Sequence, residues 1–188
     1  MCGIAGIVEF RDRSATETVL SEMCRHLAHR GPDGHGYWYS RNRAVALGHR
    51  RLAILDLAPR SNQPLVSADG RCVVVFNGEI YNFHELRREL IARGEVFRTE
   101  SDTEVILVAW RAWGEDMLPR FNGMWAFAIY EQDSGRMFLA RDRFGERPPY
   151  YYSAPGLFAF ASELSALKHH RAVAGAVDPR ALQRFLAY

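Results

Sequence analysis

The chain has 188 residues, 48% hydrophobic and 24% charged, which suits one water-soluble globular domain with a substantial core. A formal net charge of +2, carried by scattered arginines with Lys168 the only lysine, argues against a nucleic-acid partner. Neither a signal-peptide pattern nor a long uncharged apolar span occurs, and Cys2, Cys24 and Cys72 make no disulfide framework, so a cytoplasmic, non-membrane protein is expected.

The first residues, Cys2 to Phe10, hold small and β-branched side chains, and 3–10 read as a buried strand. Val19, Leu20, Met23 and Leu27 recur at helical spacing and predict a helix from Thr16 to about Leu27. It runs into a tight turn, His29-Arg30-Gly31-Pro32-Asp33-Gly34, read either as a lid over a pocket or as a plain turn. Short apolar stretches follow at 36–39, 44–49 and 52–55, then a loop at 58–64. Cys72 to Asn77 is a nearly continuous β-branched and aromatic run, the pattern of a strand buried on both faces.

Asn82 with Glu85 reads as an N-terminal cap, and Gly94 closes that helix. Ser101-Asp102-Thr103-Glu104 is a second capping box, opening a helix to about Trp113, with Trp110 and Trp113 read as core. Strands are predicted at 121–130, 137–141, 150–152 and 157–161, and short helices near Glu163 and Pro179. Arg141-Asp142-Arg143 reads as a structural charge network. Strands, then helices, then strands argue against a doubly wound parallel sheet. Two stacked, mainly antiparallel sheets with helices outside fit better, an α+β sandwich in which the middle helices cover one outer face.

Cys2 is the first candidate for chemistry. It is either a small packed hydrophobe or a nucleophile. With Met1 removed, one residue carries both a thiol and an α-amine titrating near ~7.7–8.0, a built-in general base. Attack on a carboxamide creates a negative oxygen that needs donors in place. Asn77 and Gly78 could supply them, or could form an Asn-Gly hairpin turn. Arg51 could grip a carboxylate through two hydrogen bonds, or be a surface arginine. Asp102 could meet an ammonium, or only favour the helix dipole. Neither His26-x-x-His29 nor His169-His170 has cysteine or carboxylate companions at zinc spacing, so no metal site is expected.

Read together, the motifs MCGIAGIV, HRGPDGHG (29–36), LGHRRLAILDL (47–57), NQP (62–64), FNGEIYNFHELRREL (76–90), SDTEVIL (101–107), FNGMWAFAIYE (121–131), LARDRFGERPPYYY (139–152) and FASE (160–163) closely resemble the class II glutamine amidotransferase domain of the asparagine synthetase family. The resemblance covers nearly the whole of residues 1–188. It implies an N-terminal nucleophile hydrolase fold, a four-layer αββα sandwich. It implies that Cys2 releases ammonia from L-glutamine through a glutamyl thioester, with Asn77 and Gly78 as oxyanion hole. Arg51 would bind the α-carboxylate, Asp102 and Glu79 the α-amino end, and Leu52, Ile54 and Leu55 would line the pocket.

In the family a synthetase domain follows, so a partner in cis or in trans is implied, residues from about 178 would lead into it, and a homodimer stays open. ATP and magnesium are expected only in that domain, with no cofactor here. The alternative is a docking module that keeps the fold without catalysis. Arg147-Pro148-Pro149 departs from the family, which has one proline there.

Overall fold

The computed structural model describes residues 1–10, 16–56, 58–173, 175 and 178–187; Leu57 of the 47–57 motif and Tyr188 lie outside that set. Strand β1 (Gly3–Glu9) sits in the middle of a five-stranded sheet, between β3 (Val45–Arg51) and β9 (Leu157–Ala161). β2 (Gly34–Tyr39) and β8 (Tyr150–Ala154) complete that sheet in the order β2-β3-β1-β9-β8. A second sheet has the order β4-β5-β6-β7, from Leu65–Val66, Cys72–Ile80, Gly123–Glu131 and Met137–Arg141. Every paired ladder is antiparallel.

The period-2 alternation of strands sorts the side chains into layers. Ile4, Val8, Val45, Leu47 and Phe160 of the first sheet meet Val73, Val75, Ala126, Ala128 and Tyr130 of the second in a shared apolar layer. The opposite face of the first sheet, Ala5, Ile7, Ala46, Ala159 and Ala161, packs under α1 (Thr16–His26) and α4 (Leu164–Leu167) through Leu20, Met23, Cys24 and Leu167. The opposite face of the second sheet, Val74, Phe76, Ile80, Phe127 and Ile129, is covered by α2 (Phe83–Ala92) and α3 (Asp102–Trp113). The result is the expected αββα sandwich. Each fully buried Leu, Ile or Phe in these layers contributes about 1.5–3 kcal/mol.

Local signals met different fates. Gly94, at φ +91°, closes α2 as expected: its N–H reaches Ile91 O, and that of Glu95 reaches Leu90 O, satisfying carbonyls the helix leaves free. Ser101 caps α3 by accepting from Glu104 N, but Glu104 does not return the bond; its carboxylate gathers the N–H groups of Arg98 and Thr99.

Asn82 is the N-cap residue of α2, its carbonyl accepting from Leu86 N, but its side chain makes no cap bond. Its side chain accepts from Asn122 N and donates to Arg120 O, tying the start of α2 to the approach to β6. Trp110 is core, and Trp113 packs against the same cluster. Asp142 is not the hub of a charge network: its carboxylate takes the backbone N–H groups of Trp125, Phe144, Glu146 and Arg147, bracing the turn after β7. Although burial pushes its pKa up, these bonds hold it below the usual carboxylate value.

The short strand β4 and the 3-10 segment Gly114–Arg120 went unpredicted. Pro148 and Pro149 precede edge strand β8, where a missing N–H removes no ladder bond.

Candidate active site

The alternation that builds the apolar layer also builds the site. Cys2 precedes Ile4 by two, His49 and Arg51 follow Leu47 by two and four, and Asn77 follows Val75 by two. All four therefore point into the space between the sheets, at the end where its apolar filling stops. There a cavity of about 150 Å³ is lined by Cys2, Arg51, Leu52, Ile54, Leu55, Asn77, Gly78, Glu79 and Asp102, so every predicted site residue reaches one hollow. Met1, His49, Gln63, Thr103, Met124 and Arg147 line it too.

The Cys2 thiol is held by the backbone of one residue. Leu52 N–H donates to Sγ at 3.4 Å, and the thiol can donate back to Leu52 O at 3.6 Å. Burial raises the thiol pKa, and Asp102 adds to the rise. The Leu52 bond, the N-terminal ammonium and the Arg51 charge oppose it. Cys24 has only Arg50 opposing its burial, and Cys72 only Arg71 against burial and three nearby carboxylates, and they are pushed up to about 12 and about 11.

The backbone of Cys2 is fixed from the other side. Arg30 donates from Nε to Cys2 O at 2.9 Å and from Nη1 to Glu163 Oε1 at 2.9 Å, and His29 Nε2 lies 2.9 Å from that same oxygen. Asp33 receives Ala53 N–H at 2.8 Å, and its own N–H donates to Arg51 O at 3.0 Å. Gly31 lies so close to β3 that an added Cβ would sit 2.4 Å from Arg50 O. The 29–34 turn is thus a brace joining Cys2 to the 51–53 segment, rather than a lid.

Asn77-Gly78 is no hairpin. β5 continues through both residues to Ile80, paired with β6 in the register Asn77↔Ala126 and Gly78↔Trp125. The backbones approach so closely that a Cβ on Gly78 would lie 2.2 Å from Met124 O. Two buried side chains hold this strand end. His49 Nε2 donates to Phe76 O at 3.2 Å, and Gln63 Oε1 accepts from Phe76 N while its Nε2 donates to Thr103 Oγ1. Burial lowers the His49 pKa to about 3, so the imidazole is neutral. Its Nδ1 has no partner among the described residues.

Arg51 is not a free surface arginine. Nη2 donates to Asp56 O at 2.6 Å and to Leu55 O at 3.4 Å; Nη1 reaches Asn62 Oδ1 and, at 3.5 Å, Ala58 O. The two long contacts are the ones a carboxylate could displace. Asp102, 5% exposed at the start of α3, accepts from Ile80 N. Burial first, with nearby Glu79 adding, raises its pKa to about 6 against the pull of backbone N–H groups. A buried carboxylate held this way favours a cationic partner.

The resemblance motifs contain Arg30, His49, Gln63 and Glu163, but no chemical pattern singled them out; their roles depend on contacts 13 to 133 residues apart.

A family model described as a glutamine amidotransferase domain matches residues 1–188. Two glutamine-hydrolysing asparagine synthetases of Bacillus subtilis, numbers 3 and 1, are each 37% identical to the chain, covering 95% and 100% of it and 29% and 30% of their own lengths. The chain thus spans about a third of the curated relatives it matches. Among solved structures, the glutamine phosphoribosylpyrophosphate amidotransferase of B. subtilis superposes with a TM-score of 0.74 at 25% identity, over 89% of this chain and 43% of that one.

Proposed function

The chain belongs to the glutamine amidotransferase domain family, and on that premise we propose that Cys2 hydrolyses the side-chain amide of L-glutamine and passes the ammonia to an asparagine synthetase-type partner. What carries the reading is one hollow in which a thiol, a strand-end amide pair, an arginine and a buried carboxylate converge.

Removal of Met1 would turn Cys2 N into a free amine beside its own thiol, and would clear Met1 from the cavity it lines. That amine takes the thiol proton as sulfur adds to the carboxamide carbon. The Asn77 side-chain amide and the Gly78 N–H receive the developing oxyanion. Collapse expels ammonia, carrying the proton the amine held, and leaves a glutamyl thioester. A water activated by the same amine then releases glutamate and restores the thiol. Arg51 takes the substrate α-carboxylate, and Asp102 with Glu79 its ammonium. Leu52, Ile54 and Leu55 supply the wall.

No step in this hydrolysis calls for a cofactor; ATP and magnesium would serve the synthetase, whether joined in cis or bound in trans. Similarity to synthetases named for asparagine favours aspartate as the final acceptor. No helix among the described residues is long and apolar enough to cross a membrane, and the three cysteines are unpaired. The unpaired cysteines favour a reducing, cytoplasmic setting. The comparisons give no support to a docking module without catalysis.

The test is glutamate release from glutamine by protein lacking Met1, against Cys2→Ala. Activity only in the unsubstituted protein supports the proposal; equal rates would overturn it.

A further inference from the structure

We propose that Glu22, His26 and His169 form a binding site for a divalent transition-metal ion of the zinc class, on the helix layer away from the glutamine cavity. Glu22 and His26 are four residues apart on α1 and therefore share a face. His169 comes from the segment after α4, and the packing of Ala166 and Leu167 against Leu20, Met23 and Leu27 delivers it to that face.

The His26 and His169 rings meet with centroids 3.8 Å apart and planes at 36°. One ligand atom from each of the three side chains lies within 4.8 Å of the other two. Metal–ligand bonds of about 2.0–2.1 Å in a tetrahedron put ligand atoms roughly 3.3 Å apart, so binding requires the three atoms to draw together and Arg25 Nη2, 3.4 Å from His26 Nε2, to give way.

The donor chemistry selects the ion. Two imidazoles and one carboxylate suit zinc, nickel or copper, whereas magnesium and calcium prefer oxygen alone. Glu22 already gives Oε2 to Arg25, which binds it from Nε at 3.0 Å and Nη2 at 2.7 Å. Oε1 is the atom left for a metal. All three side chains are half-buried, so the ion can enter from solvent and keep water in the remaining position.

From sequence, no companions at zinc spacing were expected for the histidine pairs, although Glu22 stands four residues before His26. The fold supplies them by taking one histidine from each pair. Bound metal would cross-link α1 to the chain just beyond Glu163, the residue that anchors Arg30 behind Cys2.

The experiment uses the Cys2→Ala chain, so that an N-terminal amine and thiol cannot chelate. Zinc chloride is titrated by calorimetry, and melting is followed with and without excess zinc. We expect one equivalent bound, a rise in Tm with zinc, at least tenfold weaker binding in Glu22→Gln and His169→Ala, and no change in the surface control His84→Ala. All variants are checked for native circular dichroism, and cobalt substitution should give a visible absorption band that His169→Ala loses. Zinc binding no tighter than about a millimolar, or binding that survives both substitutions in folded protein, would overturn the proposal.

Discussion

Arg30 Nε lies 2.9 Å from the carbonyl oxygen of Cys2, while its Nη1 contacts Glu163 at the same distance. The candidate nucleophile is thus positioned through its backbone by a cation that is itself anchored across the fold. Losing this charge-assisted bond should misplace Cys2 more than it weakens glutamine binding. Arg30→Ala is expected to lower kcat for glutamate release about 10–100-fold with KM changed less than threefold. Glu163→Gln should have a smaller effect in the same direction. A change in KM alone would assign Arg30 to substrate binding instead.

Asp102 links binding to stability. Its folded pKa, near 6, stands above the 3.8 expected of an unperturbed aspartate. A raised value means stability fully present below about pH 3.8 and lost as pH rises through 6. At pH 7 the buried charge therefore costs on the order of 3 kcal/mol. Asp102→Asn should be more stable than the parent at pH 7 in urea unfolding, with the difference fading toward pH 4. The same variant should bind glutamine much more weakly. In the parent, KM should rise as pH falls below 6 and Asp102 protonates.

Gly78 leaves no room for a side chain, since a Cβ would lie 2.2 Å from Met124 O, a backbone atom that cannot swing aside. Gly78→Ala is expected to cost about 2–4 kcal/mol and lower Tm by many degrees. A Tm within a degree or two of the parent would show that the β5–β6 approach is looser than described.

Three thiols with different surroundings should react in order. Cys24 and Cys72 sit near 12 and 11, whereas Cys2 has the Leu52 N–H and two positive charges opposing its burial. Thiolate is the reactive form, so brief iodoacetamide treatment at pH 7.5 should label Cys2 well before the other two. Peptide mass spectrometry reads the order directly, and Cys72 labelling first would contradict it.

Much of this was legible in the chain because period-2 patterning fixes facing as well as strand identity. Once Ile4, Leu47 and Val75 are assigned to the middle layer, Cys2, His49, Arg51 and Asn77 follow them into it by parity alone. Where local chemistry points elsewhere, tertiary contacts override it. Asn77-Gly78 carries a strong hairpin signal, yet β6 pairs straight past it. Asn82 carries a capping signal, yet Asn122 and Arg120 claim its side chain. Asp142 sits between two arginines, yet four backbone N–H groups reach it first. The Arg30–Glu163 anchor was beyond any local pattern, because its members lie 133 residues apart.

The central claim is that Cys2 acts with its own amine, and intact-mass analysis after treatment with a glutamine-like chloroketone tests it most directly. We expect one adduct per chain, mapped to Cys2, only on molecules that have lost Met1, and blocked by excess glutamine. Equal labelling of molecules that keep Met1, or an adduct on Cys24 or Cys72 alone, would contradict the account.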